Sequence, residues 1–204
     1  MKTKKLLLLL ALPLTLMSCS KIEYEITKEE FDDITNPTKI LLECNYTINI
    51  YQDDNLIYTC MFDYGMAESI KYTWDGEIDY HLVIETASET YGNGYVQNYY
   101  SDGELLYTKN FETELAMWYY FYPYAFLEAL AVDFDDFTFN KEEKCYTATG
   151  ITSNGDHTLF GPLYFESYTF KVENKHPVFL QATLSGNNII KADFIEHGTT
   201  EVSL

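Results

Sequence analysis

Cys19 is the residue whose neighbours assign it a definite chemistry. Lys2, Lys4 and Lys5 precede an apolar run from Leu6 to Leu16, and Met17-Ser18-Cys19 closes the segment. A cationic start engages a membrane surface, and a leucine-rich run this short is a targeting segment rather than a stable span. Ser18 is small enough for a peptidase to reach the backbone before Cys19, whose thiol then carries the lipid; Met17 stands where a small residue is commoner. Two acyl chains add about 0.8 kcal/mol per buried methylene, enough for stable anchoring. The order of charge, apolar run, small residue and cysteine predicts a signal peptide over residues 1–18, a tether over 19–26 and one globular domain over 27–204.

Other residue types that do chemistry lack partners at the required spacing. His81, His157, His176 and His197 have no second histidine at metal-ligand separation. His81, alternating with Asp79, Val83 and Glu85, is expected to face solvent. Asp133, Asp135 and Asp136 begin like a calcium loop, but its sixth position holds Thr138 instead of glycine and its twelfth Lys144 instead of glutamate. They read as a solvated helix end or a weak incidental cation site. The sequence has no Gly-x-Ser-x-Gly and no Gly-rich phosphate loop. Asp32-Asp33 and Glu142-Glu143 are adjacent, which in a strand sends them to opposite faces and makes them poor acid/base partners. The expectation is a non-enzymatic protein without catalytic residues, metal or cofactor.

After Cys19 the remaining cysteines are Cys44, Cys60 and Cys145, an odd number. Cys44 and Cys60 fall on two arms of a hairpin around Gln52-Asp53-Asp54-Asn55. The apolar faces coincide when Cys44 opposes Phe62 and Cys60 opposes Tyr46. The thiols are then diagonal neighbours, with backbones about 7–8 Å apart, beyond the usual disulfide span of roughly 4.4–6.8 Å. They read as core thiols, unless a bulge shifts the register by one.

Elements that would position these residues follow from hydrophobic period. Thr27-Lys28-Glu29-Glu30 is a capping box opening a short helix to about Ile34, which Asn36-Pro37 ends. Ile40 through Ile50 then alternate as a strand. Alternation returns in Ile70–Trp74, Ile78–Ile84, Tyr91–Tyr100 and Glu104–Lys109, with turns at Asp75-Gly76 and Ser101-Asp102-Gly103. From Asn110 the period changes to helical: Phe111, Leu115, Trp118 and Tyr122 share a face, Pro123 divides the stretch, and Phe126, Leu127 and Leu130 continue it. Strands resume at Phe137–Phe139, Lys144–Ile151, Tyr164–Val172, Val178–Leu184 and Ile190–Phe194, with turns at Asn174–Pro177 and Ser185–Asn188. The fold class is α+β: an antiparallel, curved, half-barrel-like sheet with a mid-chain helical insertion and a short N-terminal helix.

Three of the 13 basic residues and none of the 32 acidic ones lie in residues 1–18, so the formal charge of −19 becomes −22 in the processed chain. Such a chain does not seek nucleic acid or anionic headgroups by electrostatics. Its surplus is aromatic, with 19 tyrosines. Tyr46, Tyr58, Tyr80 and Tyr168 lie on apolar strand faces as core. Tyr91, Tyr95, Tyr99, Tyr119 and Tyr120 are candidates for exposed stacking surfaces. Trp118, Tyr122, Phe126 and Leu130 are expected to line the space between helix and sheet, as core if it is filled and as an apolar cavity if it is hollow.

Ile26-Thr27-Lys28-Glu29-Glu30-Phe31, Asp135-Asp136-Phe137-Thr138-Phe139-Asn140 followed by Tyr146-Thr147-Ala148, and the ending Asp193 to Val202 resemble a group of Gram-positive and mollicute lipoproteins of unassigned function. In architecture, helix, meander, helical insertion and returning strands are similar to the half-barrel of Lol-type and mycobacterial glycolipid-carrying lipoproteins. That similarity implies an apolar ligand between curved sheet and helices. The expected function is a membrane-anchored, extracytoplasmic binding protein for a lipid-like ligand, its membrane partner engaged through Cys19. The alternative is a surface interaction protein with a filled core, binding glycan or protein through tyrosine-rich loops.

Overall fold

The computed structural model describes residues 22–72, 78–86, 95–111, 131–153 and 162–203. Helix α1, Lys28–Thr35, starts at the expected capping box. Thr27 Oγ1 accepts from Glu30 N at 3.2 Å, and Glu30 Oε2 accepts from Thr27 N at 2.9 Å. Asn36-Pro37 corrects the expectation, because it begins a second helix, α2, Pro37–Glu43, instead of a strand. The Asn36 side chain accepts from Lys39 N at 3.2 Å, and Pro37 occupies the first helical turn, where its missing N–H costs nothing. Ile40 and Leu41 are therefore buried helical residues.

Eleven strands follow among the described residues: β1 Asn45–Gln52, β2 Asn55–Asp63, β3 Met66–Tyr72, β4 Ile78–Thr86, β5 Tyr95–Ser101, β6 Glu104–Phe111, β7 Thr138–Asn140, β8 Cys145–Thr152, β9 Tyr164–Glu173, β10 His176–Leu184 and β11 Asn188–Ile195. They form one open antiparallel sheet in the order β6-β5-β4-β3-β2-β1-β11-β10-β9-β8-β7. Two meanders run outward from a central seam where β1 pairs with β11. The architecture is thus mostly β, with two short helices near the N-terminus. The expected mid-chain helix falls on residues 112–130, outside the described residues. Asn110 and Phe111, expected to open it, belong to β6, where Phe111 pairs with Tyr95.

Turns follow the residues that tolerate left-handed backbone. Asp53 and Asp54 have φ of 48° and 67°, and Asp102-Gly103 has 51° and 78°, the two-residue hairpin geometry that matches strand twist. The β9–β10 turn is shorter than expected. Asn174 and Lys175 make it, while His176 and Pro177 enter β10, where the register shifts between Pro177 and Phe179 and so accommodates a proline inside the sheet.

In the first hairpin Tyr46 faces Phe62, Ile48 faces Cys60 and Ile50 faces Tyr58, two residues along from the expected pairing, with a bulge after Ile50. Cys44 caps α2 outside the strand, and Cys44, Cys60 and Cys145 are free thiols. The inner face carries Ile48, Ile50, Cys60, Phe62, Leu82, Ile84, Phe165, Tyr168, Phe170 and Val172, all buried. Helix α1 seals one end of it. The Phe31 ring meets Phe134 at 5.2 Å and Phe170 edge-on at 5.7 Å, while Tyr146 Oη accepts from Ile26 N at 2.8 Å.

The outer face is partly covered as well. The C-terminal residues lie across β1 to β3: Asn45 exchanges two bonds with the Thr200 backbone, both 2.8 Å, and Thr47 Oγ1 meets Thr200 Oγ1 at 2.9 Å. Glu68, 6% exposed, accepts the Ser203 backbone N–H and lies 2.6 Å from His81 Nε2. His81 is therefore half-buried rather than solvent-facing, and its strand neighbour Val83 is fully buried.

Candidate functional site

The expected lipidation residue, Cys19, and the expected cavity residues Trp118, Tyr122, Phe126 and Leu130 lie outside the described residues. Their chain neighbours on either side, Phe111 and Val132, are both buried in the core on the inner face. Tyr95 and Tyr99, expected as exposed, pack against the core edge, with Tyr99 Oη donating to Gln97 Oε1 at 2.7 Å and its ring stacked on Tyr107 at 4.3 Å. The aspartates that begin like a calcium loop are a turn. Asp133 caps the 3-10 turn Phe134–Asp136 and takes Lys28 Nζ at 2.8 Å, and that ammonium holds the Asp133 carboxyl below its ordinary value. Among the described residues no cluster of three or more His, Cys, Asp or Glu is arranged to hold a metal ion.

A cleft of about 400 Å³ opens where α1 and α2 meet the ends of β1 and β10. Its polar lining includes Asp33, Lys39, Glu43, Lys175, His176 and His197, and its apolar lining includes Ile34, Tyr46, Tyr64 and Pro177. The β2–β3 turn closes one side. Tyr64 N donates to Cys44 O at 3.1 Å and Gly65 N to Leu41 O at 2.7 Å, so this turn is bolted to the end of α2. The Tyr64 ring projects 65% exposed from a backbone with φ of 40°. A bulky side chain in that region is uncommon and costs energy.

At the floor stands Tyr46, 3% exposed, its ring edge-on to Phe62 and Phe194, both at 5.9 Å. Its hydroxyl is closed off from solvent and lies beside the Cys44 thiol. Burial, with the adjacent Cys44 thiol as a lesser cause, raises the Tyr46 pKa well above its ordinary value, so this hydroxyl keeps its proton. Burial also raises the thiols of Cys44, Cys60 and Cys145, which keeps them protonated and weakens them as nucleophiles.

His176 and His197 are 21 positions apart in sequence, yet their rings lie 5.0 Å centre to centre. With Pro177 O accepting at 2.9 Å, His197 Nε2 is a donor. Burial, then the neighbouring His176, lowers the His197 pKa below 6.5, so this ring is neutral at pH 7. Both lysines of the cleft are paired, Lys39 with Asp33 and Lys175 with Glu30.

The cleft also sits beside the start of the described chain. Asn174 N donates to Glu23 O at 2.7 Å, and Glu23 N donates to Asn174 Oδ1 at 3.1 Å, so the segment before α1 is fastened to the turn that carries Lys175 and His176. Sequence reasoning put Tyr46 in the core, correctly, but attached no role to Tyr64 or to the histidine pair. The available signal was a tyrosine before Gly65 in a turn, where a small polar residue is the usual choice. No family model matches the chain, and no curated protein matches it.

Proposed function

We propose that the chain is a lipid-anchored, non-enzymatic binding protein of an extracytoplasmic membrane face, and that it takes a lipid-like ligand. The observation that carries this reading is the position of the cleft at the root of the tether. Glu23, fastened beside it, is four residues from Cys19, and four extended residues span at most about 14 Å. A protein held by acyl chains on Cys19 therefore keeps this cleft at the membrane face, where amphiphiles are concentrated. The inner sheet face supplies apolar surface continuous with the cleft through Tyr46, and Phe111 and Val132, which flank the aromatic stretch 112–130 in sequence, are buried in the same core. We assign that stretch, with Trp118, Tyr122, Phe126 and Leu130, to the apolar side of the ligand space, under a curved half-barrel.

Fractionation tests the anchor: Cys19→Ala is expected to leave the membrane pellet or accumulate unprocessed, and unchanged membrane retention contradicts anchoring. Solvent extraction of the purified wild-type protein followed by mass spectrometry tests the ligand. A co-purified lipid is expected; none, together with no binding of an apolar dye, contradicts carriage. The alternative of a surface protein that binds glycan or protein draws on a separate observation. Leu105, Leu106 and Tyr107 are each more than half exposed on the edge strand β6.

A further inference from the structure

We infer that the outer edge of β6 is a docking site for an extended, cationic peptide segment of a partner protein, which adds to the sheet as a further strand. The inference does not require the lipid-like ligand of the proposed function; it names the partner and the binding mode that the exposed edge fits.

The sheet is open, and its two edges are finished differently. At one edge β7 is only Thr138–Asn140, and a strand that short offers a partner little to pair with. At the other, β6 runs Glu104–Phe111 without a proline. Its residues from Glu104 to Thr108 are all exposed, and among the described residues their strand partners are on β5 alone. An edge strand paired on one side turns alternate N–H and C=O groups outward, a template for another chain. The register shift at Tyr99 and Tyr100 leaves Leu106 bulged between Leu105 and Tyr107. These three side chains are 54%, 62% and 53% exposed, and no other exposed large apolar residues among the described ones adjoin in sequence. The Tyr107 ring is held in place, stacked on Tyr99 at 4.3 Å. Backbone bonds along the edge would supply affinity, and these side chains would meet apolar ones of the partner.

Charge and position select the occupant. Asp102 and Glu104 stand beside the leucines at the hairpin tip, in a chain of formal charge −19. A second copy would bring the same excess of negative charge to the edge, whereas lysine or arginine flanking the apolar part of a peptide is drawn to it. Position argues against a bilayer. The strand registers put the Asp102-Gly103 turn at the sheet end opposite the β9–β10 turn, whose Asn174 holds Glu23. A chain anchored ahead of Glu23 therefore presents this hairpin away from its own membrane.

Cys19→Ala protein, full length apart from that change, is titrated into a short fluorescein-labelled peptide of alternating valine and threonine with lysine at both ends, and binding is read by fluorescence anisotropy. Saturable binding is expected. It falls about tenfold when glutamate replaces the lysines, or when alternate peptide nitrogens are methylated and lose the donors that strand pairing needs. Amide exchange over Leu105–Thr108 slows in the complex. Leu106→Glu, at an exposed position, separates pairing on an apolar edge from charge attraction: it adds negative charge, yet is expected to weaken binding about tenfold with unchanged thermal melting. Asp102→Asn suits the left-handed backbone at φ of 51° and is expected to weaken it about threefold. No binding, binding that neither Leu106→Glu nor methylation weakens, or exchange protection confined to another part of the chain overturns the inference. A concentration-dependent dimer in analytical ultracentrifugation that Leu106→Glu dissolves also overturns it, because the edge would then belong to a second copy. Lipid recovered from the purified protein bears on the proposed function alone.

Discussion

Tyr64 has φ of 40° at the mouth of the cleft, a conformation that asparagine or glycine adopts at lower cost. If its ring serves binding rather than packing, Tyr64→Asn leaves stability unchanged or raises it by up to about 1 kcal/mol in urea titration. A loss of several kcal/mol would instead make the ring structural. His197 yields a pH prediction. Its folded pKa lies below its unfolded value near 6.5, because burial and His176 disfavour the charged form. Above that value both states are neutral there and the residue adds no pH dependence. Below it the unfolded chain binds the proton first, so stability falls as pH drops from about 6.5 through the folded value. The urea midpoint of His197→Gln is expected to be flatter over that window, and an identical profile would remove His197 as the cause. Phe31, buried between the Phe134–Asp136 turn and β9, is the core counterpart. Phe31→Ala is expected to cost about 3–5 kcal/mol by the same titration.

At the scale of elements, most strands and turns were legible because apolar residues alternate with period two and because Asp53-Asp54, Asp102-Gly103 and Asn174-Lys175 can take positive φ. Helix α2 was not, since Ile40 and Leu42 fit a strand period as well as a short helix, and Asn36-Pro37 ends one helix while beginning the next. The capping residue decides between them. Asn36→Ala is expected to destabilise the protein by about 1 kcal/mol and to loosen the cleft wall that α2 forms, measured as faster amide exchange over Lys39–Glu43. The C-terminal segment was also invisible to period, because its attachment depends on Asn45, Thr47 and Glu68 reaching backbone and side-chain groups in residues 200–203, far along the chain. Asn45→Ala breaks both bonds to Thr200 and one to Asp63, and is expected to cost about 1–3 kcal/mol while increasing exchange at Thr200 and Val202.

Across the whole molecule, two meanders are joined through β1 and β11, so the central pairing links residues more than 130 positions apart. That seam gathers the cleft. Tyr46 comes from β1, His197 follows β11, His176 opens β10, and Asp33 and Lys39 come from the helices before the sheet. Local spacing could not bring these residues together, which is why short motifs along the chain point to Cys19 and not to the cleft. The proposed acyl anchor at Cys19 and the cleft, beside which Glu23 is bonded to Asn174, are complementary parts of one account. Native mass spectrometry of wild-type protein taken from membranes tests this account most directly. The predicted result is a chain beginning at Cys19 with a covalent diacylglyceryl adduct, plus a non-covalent lipid-like ligand released on denaturation. A chain without acyl mass and without a releasable ligand would contradict it.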